Sequence, residues 1–413
     1  MASINLCFRI HQPYQFKSYC FNDIGKTHSY EDTTVMLDTM NRLADNCYLP
    51  ANKILLNEIS KAKGKFKVAF SISGTTLELF GQFRPDLIDS FKQLVQTGCV
   101  EILGETYYNS LSWLHSKTEF NRQVKMHEDL VKKLFGVEPM VFRNTELIHD
   151  NELAKHISNL GYKGMITEGL DVILNGRSPN QTYAAPDNGD FGILLRNTQL
   201  CDDIACWFGV ARASRYALYA TKFADRIFHN YPNDSCSINL FFDYETFGIH
   251  KTEQTGIFSF LKELPSAILS NPKYHFKTPV EALDNCYPKG IYDVPETTSL
   301  NACYHDGKTW CNKVKENMIL QKLYKLESLV TETPDEKLKK TWGELQSADH
   351  FYFIERNESH KGEAYHPEIS PGRSAEGYKQ LVNILADFEI SLLTAGVERN
   401  RKRFSQHLSA MLF

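Results

Sequence analysis

A chain of 413 residues with 42% hydrophobic and 23% charged residues has the composition of a globular protein, which excludes a mainly disordered or fibrous one. Lysine and arginine number 46 against 50 acidic residues, a net charge of −4, so the basic excess of a nucleic-acid binder is absent. No run of about 18 apolar residues exists to cross a membrane, and the N-terminus MASINLCFRIHQPYQF lacks the basic region and apolar core of a secretory signal, so a cytoplasmic protein is expected.

Short apolar runs recur along the first 250 residues: Ile4–Ile10, Phe66–Ile72, Cys99–Leu103, Met140–Phe142, Gly164–Ile166, Ile193–Leu195 and Ile238–Phe242. Their length and continuous apolar character suit strands buried on both faces, as in a parallel sheet. Segments of helical spacing lie between them. Thr33–Lys63 holds two helices, Pro85–Thr97 ends at Gly98, Thr118–Phe135 ends at Gly136, and Asn151–Leu160 ends at Gly161. Strands alternating with helices are βα units. About seven of them point to a β/α barrel in preference to an open sheet.

The polar residues support that reading. His11-Gln12-Pro13, Ser73-Gly74, Gly104-Glu105-Thr106, Arg143-Asn144-Thr145-Glu146, Thr167-Glu168 and Asp243-Tyr244-Glu245 each follow an apolar run. A barrel gathers these strand ends on the face where its chemistry is built. Neither GxGxxG nor GxxxxGK[ST] follows a strand, so a nucleotide site lacks support. Beyond residue 290 the pattern is helical, over Glu316–Val330, Pro334–Ile354 and Ser374–Thr394. The polar loop Asn357–Arg373 between the last two is long enough to suggest a functional segment. The expected organisation is a barrel over residues 1–288 and a helical domain over 289–413.

Ten scattered cysteines form no CxxC, and their placement in apolar runs (Cys7, Cys99, Cys206) suits reduced, buried thiols. Glu146 ends VFRNTE, with Arg143 three residues before it. Asp243 and Glu245 end the very apolar NLFFDYE, and alternation in an extended segment puts both on one face with Tyr244 on the other. Acids there are costly to bury without a partner or a task. Two carboxylates from different strands facing one cavity suit cleavage of a glycosidic bond, one as nucleophile or base and the other as an acid of raised pKa. The same residue types could bind a metal through His11, Glu101, Glu105 and His250, but HxH, HExxH and HxxEH are all absent. GxSxG, the mark of a serine hydrolase, is absent too.

These strings resemble glycoside hydrolase family 57, in its α-amylase-like branch. The resemblance is carried by FRIHQPY (Phe8–Tyr14), NCYLPAN (Asn46–Asn52), FKVAFSISGT (Phe66–Thr75) and TGCVEILGETYYNSL (Thr97–Leu111). It continues through VFRNTELIH (Val141–His149), GYKGMITEG (Gly161–Gly169), LFFDYETFGIH (Leu240–His250), FKTPVEAL (Phe276–Leu283) and SADHFYFI (Ser347–Ile354). It implies an α/β fold: a distorted, incomplete (β/α)7 barrel followed by a C-terminal helical bundle packed against the catalytic cleft. It also implies an α-1,4-glucan substrate and a retaining double displacement; retention requires carboxyls about 5–5.5 Å apart, and no cofactor or metal is expected. By the same resemblance Glu146 is the nucleophile and Asp243 the acid/base, while His11, Glu101 and Asp349 touch substrate or shape the site.

Arg143 is a neighbour able to hold the carboxylates in their charge states. Three departures stand near the expected cleft walls: Asn109 where the family commonly has His, Val280 where it has Ser, and Cys206-Trp207-Phe208 where it has Phe-Arg-Phe. Trp207 is a candidate sugar-stacking platform. A 4-α-glucanotransferase or branching enzyme on the same scaffold is the nearest alternative, followed by a non-catalytic glucan-binding protein. A metal-dependent deacetylase is disfavoured by the lack of HxxxH and of an early Asp-Asp pair.

Overall fold

The computed structural model describes residues 2–209, 219–230, 236–299, 317–355 and 375–411. Nine strands form one sheet: β1 (Ala2–Ile10), β2 (Val68–Ile72), β3 (Val100–Ile102), β4 (Val141–Arg143), β5 (Gly164–Glu168), β6 (Thr182–Ala185), β7 (Asn188–Arg196), β8 (Ser237–Asp243) and β9 (Tyr274–Phe276). Seven run parallel in the spatial order β3-β2-β1-β8-β7-β5-β4. The two outer strands of that series meet at an isolated bridge, Gly104 to Phe142, where Gly104 N–H donates to Val141 O and Arg143 N–H to Gly104 O. The sheet therefore curls into an irregular seven-stranded β/α barrel. The remaining two strands lie off this path, β6 antiparallel to β7 and β9 beside the start of β1.

All seven apolar runs seen in the sequence are barrel strands. Strands β6 and β9 are not evident in the sequence because TYAA and YHF are too short to show a period. The helices follow their expected bounds closely where caps mark them. Ser116 accepts from Glu119 N–H at the start of helix Lys117–Phe135, and Gly136, at φ 72°, ends it. Asp150 caps Asn151–Asn159 in the same way. The segment from Thr33 holds two helices, Thr33–Leu43 and Leu49–Ala62, joined by a π-helical turn. Helix Gly74–Phe83, capped by Ser73, was not expected from the sequence.

Inside the barrel the period of two sorts the side chains into layers. Cys7, Ala69, Leu103, Val141, Ile166, Leu194 and Phe241 form an apolar plug, against which Val280 and Leu283 pack. Two residues further along each strand, toward its C-terminal end, stand Arg9, Ser71, Glu105, Arg143, Glu168, Arg196 and Asp243. One apolar layer thus supports one polar layer, and the polar one lies on the side of the strand ends.

The C-terminal region is helical, with Met318–Lys325, Glu327–Glu332, Glu336–Glu344 and the long Ala375–Met411. Buried Asp387 ties the last of these to the segment after β1. It accepts from Gly25 N–H at 2.6 Å and Tyr30 Oη at 2.6 Å, and pairs with His28 Nδ1 at 2.8 Å. The loop Asn357–Arg373 lies outside the described residues. No helix among the described residues is long and apolar enough to cross a membrane.

The cysteine reading needs a correction. Cys236, just before β8, and Cys286, just after helix Pro279–Asn285, form a disulfide with Cα atoms 6.0 Å apart. Fifty residues of separation hide such a pair from inspection of the sequence. Cys7 and Cys99 lie outside any disulfide and are buried, while Cys206, also not disulfide-bonded, is partly exposed.

The seam makes one testable demand. A Cβ on Gly104 would lie 2.4–2.7 Å from the Tyr162 ring, which is itself buried. Gly104→Ala is therefore expected to lower unfolding free energy by about 1–3 kcal/mol in urea titration, the usual cost of overpacking. An unchanged midpoint would show that the seam is loosely packed.

Candidate active site

The polar layer alternates in sign around the barrel. In spatial order it reads Glu105, Ser71, Arg9, Asp243, Arg196, Glu168, Arg143. Neighbours pair accordingly. Ser71 Oγ donates to Glu105 Oε1 at 2.6 Å, and Arg9 Nη1 to Asp243 Oδ1 at 3.1 Å. Arg196 Nη1 donates to Glu168 Oε2 at 3.2 Å, and Arg143 Nη1 stands 3.8 Å from Glu105 Oε2. Single charges buried this deep are unaffordable, and alternation lets each find its opposite on the adjoining strand.

Glu146 sits above this ring. The chain leaves β4 at Arg143, turns through Asn144, and presents Glu146 at φ 53°, ψ 26°, with Leu147 also left-handed at φ 48°. Two consecutive non-glycine residues in that region are strained. The strain turns the Glu146 carboxylate inward, where Oε1 lies 3.7 Å from Arg9 Nη2. Asp243, the last residue of β8, touches Nη1 of the same guanidinium. The two carboxylates expected to do chemistry thus converge on one cation. Glu146 is almost fully buried, and the Asp243 side chain is about one-fifth exposed (21%), the more open of the two.

A second chain of contacts reaches the site from the helical region. Asp349, in the 3-10 helix Ala348–Glu355, pairs with His11 Nε2 at 2.9 Å, and Ser73 Oγ lies 2.7 Å from His11 Nδ1. Burial opposes ionisation of Asp349, but the charge and hydrogen bond of His11, with Arg9 further off, hold its carboxyl well below the usual range. Asn109 completes the chain, donating to Asp349 Oδ2 at 3.3 Å and accepting from Arg143 Nη1 at 3.1 Å. It is buried and left-handed at φ 49°, a conformation that asparagine tolerates better than most residues. The departure at Asn109 is thus a working link between Arg143 and Asp349.

Among the expected site residues, the structure brings together Glu146, Asp243, Arg143, His11 and Asp349. It separates two others. Glu101 points into the barrel below the apolar plug, where it accepts from Val280 N–H at 2.9 Å at the start of helix Pro279–Asn285. Its task there is to receive a helix N-terminus, and its strand position two residues short of Leu103 already placed it beneath the charged ring. Trp207 is 58% exposed at the end of helix Thr198–Ala205 and is not part of the buried cluster.

Glu245 also departs from expectation, because the strand ends at Asp243 and a 3-10 turn follows. It turns away to accept from the Tyr48 hydroxyl and from Gln12 Nε2. Burial, then the neighbouring Asp243 charge, push it up to about 7. His11, Glu101, Glu105 and His250 do not gather, and among the described residues no group of three or more His, Cys, Asp or Glu could hold a metal ion. Arg9 is a member of this cluster that the sequence reading did not single out. Its signal was available in FRIHQPY: it is the last inward position of β1, opposite Asp243 in register.

Two predictions test this arrangement. Asn109→Gly keeps the left-handed backbone and removes the amide, so it should cost about 1–3 kcal/mol in urea unfolding, with Asn109→Ala roughly 1 kcal/mol worse. Glu101 is pushed by burial from 4.5 up to about 7. The folded state therefore favours its protonated form, and the resulting cost is absent below about pH 4.5 and complete above about pH 7. Glu101→Gln should gain on the order of 2–3 kcal/mol over wild type between pH 5 and pH 8. A difference that does not change with pH would contradict the placement of Glu101.

Residues 5–295 match the model of glycosyl hydrolase family 57. A Methanocaldococcus jannaschii protein named "Putative alpha-amylase" is 34% identical over 94% of this chain and 84% of its own length. The 4-alpha-glucanotransferase of Thermococcus litoralis is 23% identical over 63% of this chain and only 38% of its own length. Its crystal structure superposes with a TM-score of 0.65 at 18% identity, covering 93% of this chain and 60% of that one. A family 57-type branching enzyme from Pyrococcus horikoshii superposes with a TM-score of 0.61 at 14% identity, over 86% of each chain. The fold is shared with both, and the family match runs from within β1 through β9 and the helix after it. This chain belongs to glycosyl hydrolase family 57.

Proposed function

We propose that the protein is a retaining glycoside hydrolase of α-1,4-glucans such as maltodextrin, glycogen or starch, with Glu146 as nucleophile and Asp243 as acid/base. The observation that carries this reading is the meeting of Glu146 from the end of β4 and Asp243 from the end of β8 on the single guanidinium of Arg9. Family membership supplies the reaction class.

In the first step the Glu146 carboxylate attacks the anomeric carbon while Asp243 gives its proton to the departing glycosidic oxygen. The carbon–oxygen bond to the leaving sugar breaks as the ester to Glu146 forms. Asp243, now ionised, then takes a proton from the incoming water, whose oxygen displaces Glu146. Burial of Glu146 and the partial exposure of Asp243 suit this division, since the residue that exchanges protons needs access to solvent and to the acceptor. His11 and Asp349, with Arg143 behind them, are positioned to bind sugar hydroxyls. No nucleic acid, membrane or cofactor enters this reading.

Transfer to a sugar hydroxyl uses the same two carboxylates, and both hydrolase and transferase names occur among the relatives. A time course on maltoheptaose separates the readings. Shorter sugars alone indicate hydrolysis, and longer sugars appearing beside them indicate 4-α-glucanotransferase activity. Glu146→Gln and Asp243→Asn should each lose at least about 10³-fold in kcat with the fold retained. Full activity in either variant would refute the assignment.

A further inference from the structure

We propose that Arg9 is a positioning residue of this reaction, a rigid cationic bridge that sets Glu146 and Asp243 against one another and, once Glu146 is esterified, acts on Asp243 alone. The inference rests on the assignment of the two carboxylates above.

Geometry comes first. Arg9 is opposite Asp243 in the β1–β8 register, so the contact at 3.1 Å is built into the sheet. The other end of its guanidinium reaches Glu146, 3.7 Å away. The fork is planar and only 7% exposed, so the two contacts cannot be adjusted independently. A lysine offers a point charge and could not serve both carboxylates in a fixed plane.

The charges around the bridge already have other partners. From the end of β3, Glu105 is held by Ser71 and faces Arg143. From β4, Arg143 donates to Asn109. After β8, Glu245 accepts from Tyr48 and Gln12, and burial holds His250 toward its neutral form. From the helical region, Asp349 pairs with His11. Arg9 reaches both reacting carboxylates, Asp243 at 3.1 Å and Glu146 at 3.7 Å.

The chemistry gives the bridge a changing load. Before reaction it faces two acids, and the negative charge of Glu146 helps Asp243 keep its proton. When the ester forms, Glu146 loses its charge and the guanidinium acts on Asp243 alone. Asp243 is then held ionised, as a base must be for the second step.

The test compares wild type with Arg9→Met and Arg9→Lys. The Asp243 side-chain carbon is followed through pH by ¹³C NMR of protein labelled at aspartate Cγ, with Asp243→Asn locating the resonance. The pH profile of kcat/KM is measured alongside. Arg9→Met should move the Asp243 titration, and the limb of the profile that follows it, upward by about one pH unit. Arg9→Lys keeps the charge, so its limbs should stay within about 0.3 units of wild type while kcat falls roughly tenfold from loss of the fork. Should Arg9→Met not fold, the Arg9→Lys split between unmoved limbs and reduced kcat decides. Loss of activity in Arg9→Met without any shift in Asp243 would overturn the proposal, as would wild-type kcat in Arg9→Lys. If the wild type cleaves no α-glucan, the functional reading fails on that ground, and the Asp243 titration in Arg9→Met still decides the role of Arg9.

Discussion

The contact on which the site depends is the ion pair between Arg9 and Asp243 across neighbouring strands β1 and β8. A barrel of seven strands leaves an interior too narrow for free water around every charge, and a lone ion there would cost several kcal/mol. The alternating ring solves this by placing arginines and acids on adjoining strands. Arg196 serves Glu168, Arg143 faces Glu105, and Arg9 serves Asp243. Glu146 is then added above the ring at the cost of two left-handed residues, and Arg9 is the cation that meets it.

The apolar layer beneath is what allows the ring to be rigid. Cys7, Val141 and Phe241 lie two residues before Arg9, Arg143 and Asp243 on the same strands. Each charged side chain thus rises from a packed position, so its direction is fixed before any hydrogen bond forms. The helical region contributes Asp349, which reaches His11 and, through Asn109, Arg143. Barrel and helices therefore meet in one hydrogen-bonded chain behind the proposed catalytic pair, and a displacement of the 3-10 helix at Ala348 would be felt at Arg143.

Much of this was legible in the residues. The seven parallel strands were visible because strands buried on both faces are written as unbroken apolar runs, and the strand ends were visible as the polar clusters that follow them. Asp243 could be picked out, with Glu245, as an acid that an apolar strand would not carry without purpose, and Glu146 as the acid that closes VFRNTE. The period of two was also legible for Arg9, in the phase Cys7–Arg9, but a positive residue inside a motif centred on His11 draws less attention than an acid. Glu101 was misplaced for the converse reason. Family resemblance selected it, while its phase with Leu103 and Glu105 put it two layers too low, beneath the apolar plug. The Cys236–Cys286 disulfide, the Glu146 backbone strain and the Asn109 link depend on contacts between residues distant in sequence or on local dihedral angles, and no periodicity reports either.

The central claim is that Glu146 and Asp243 act as a nucleophile and acid/base pair held by one cation, which requires two displacements at the anomeric carbon. Proton NMR of the first product released from an α-1,4-glucan, recorded before mutarotation, reads the stereochemistry directly. The account predicts that the new reducing end appears first as the α-anomer. Initial release of the β-anomer would mean a single displacement by water and would contradict it.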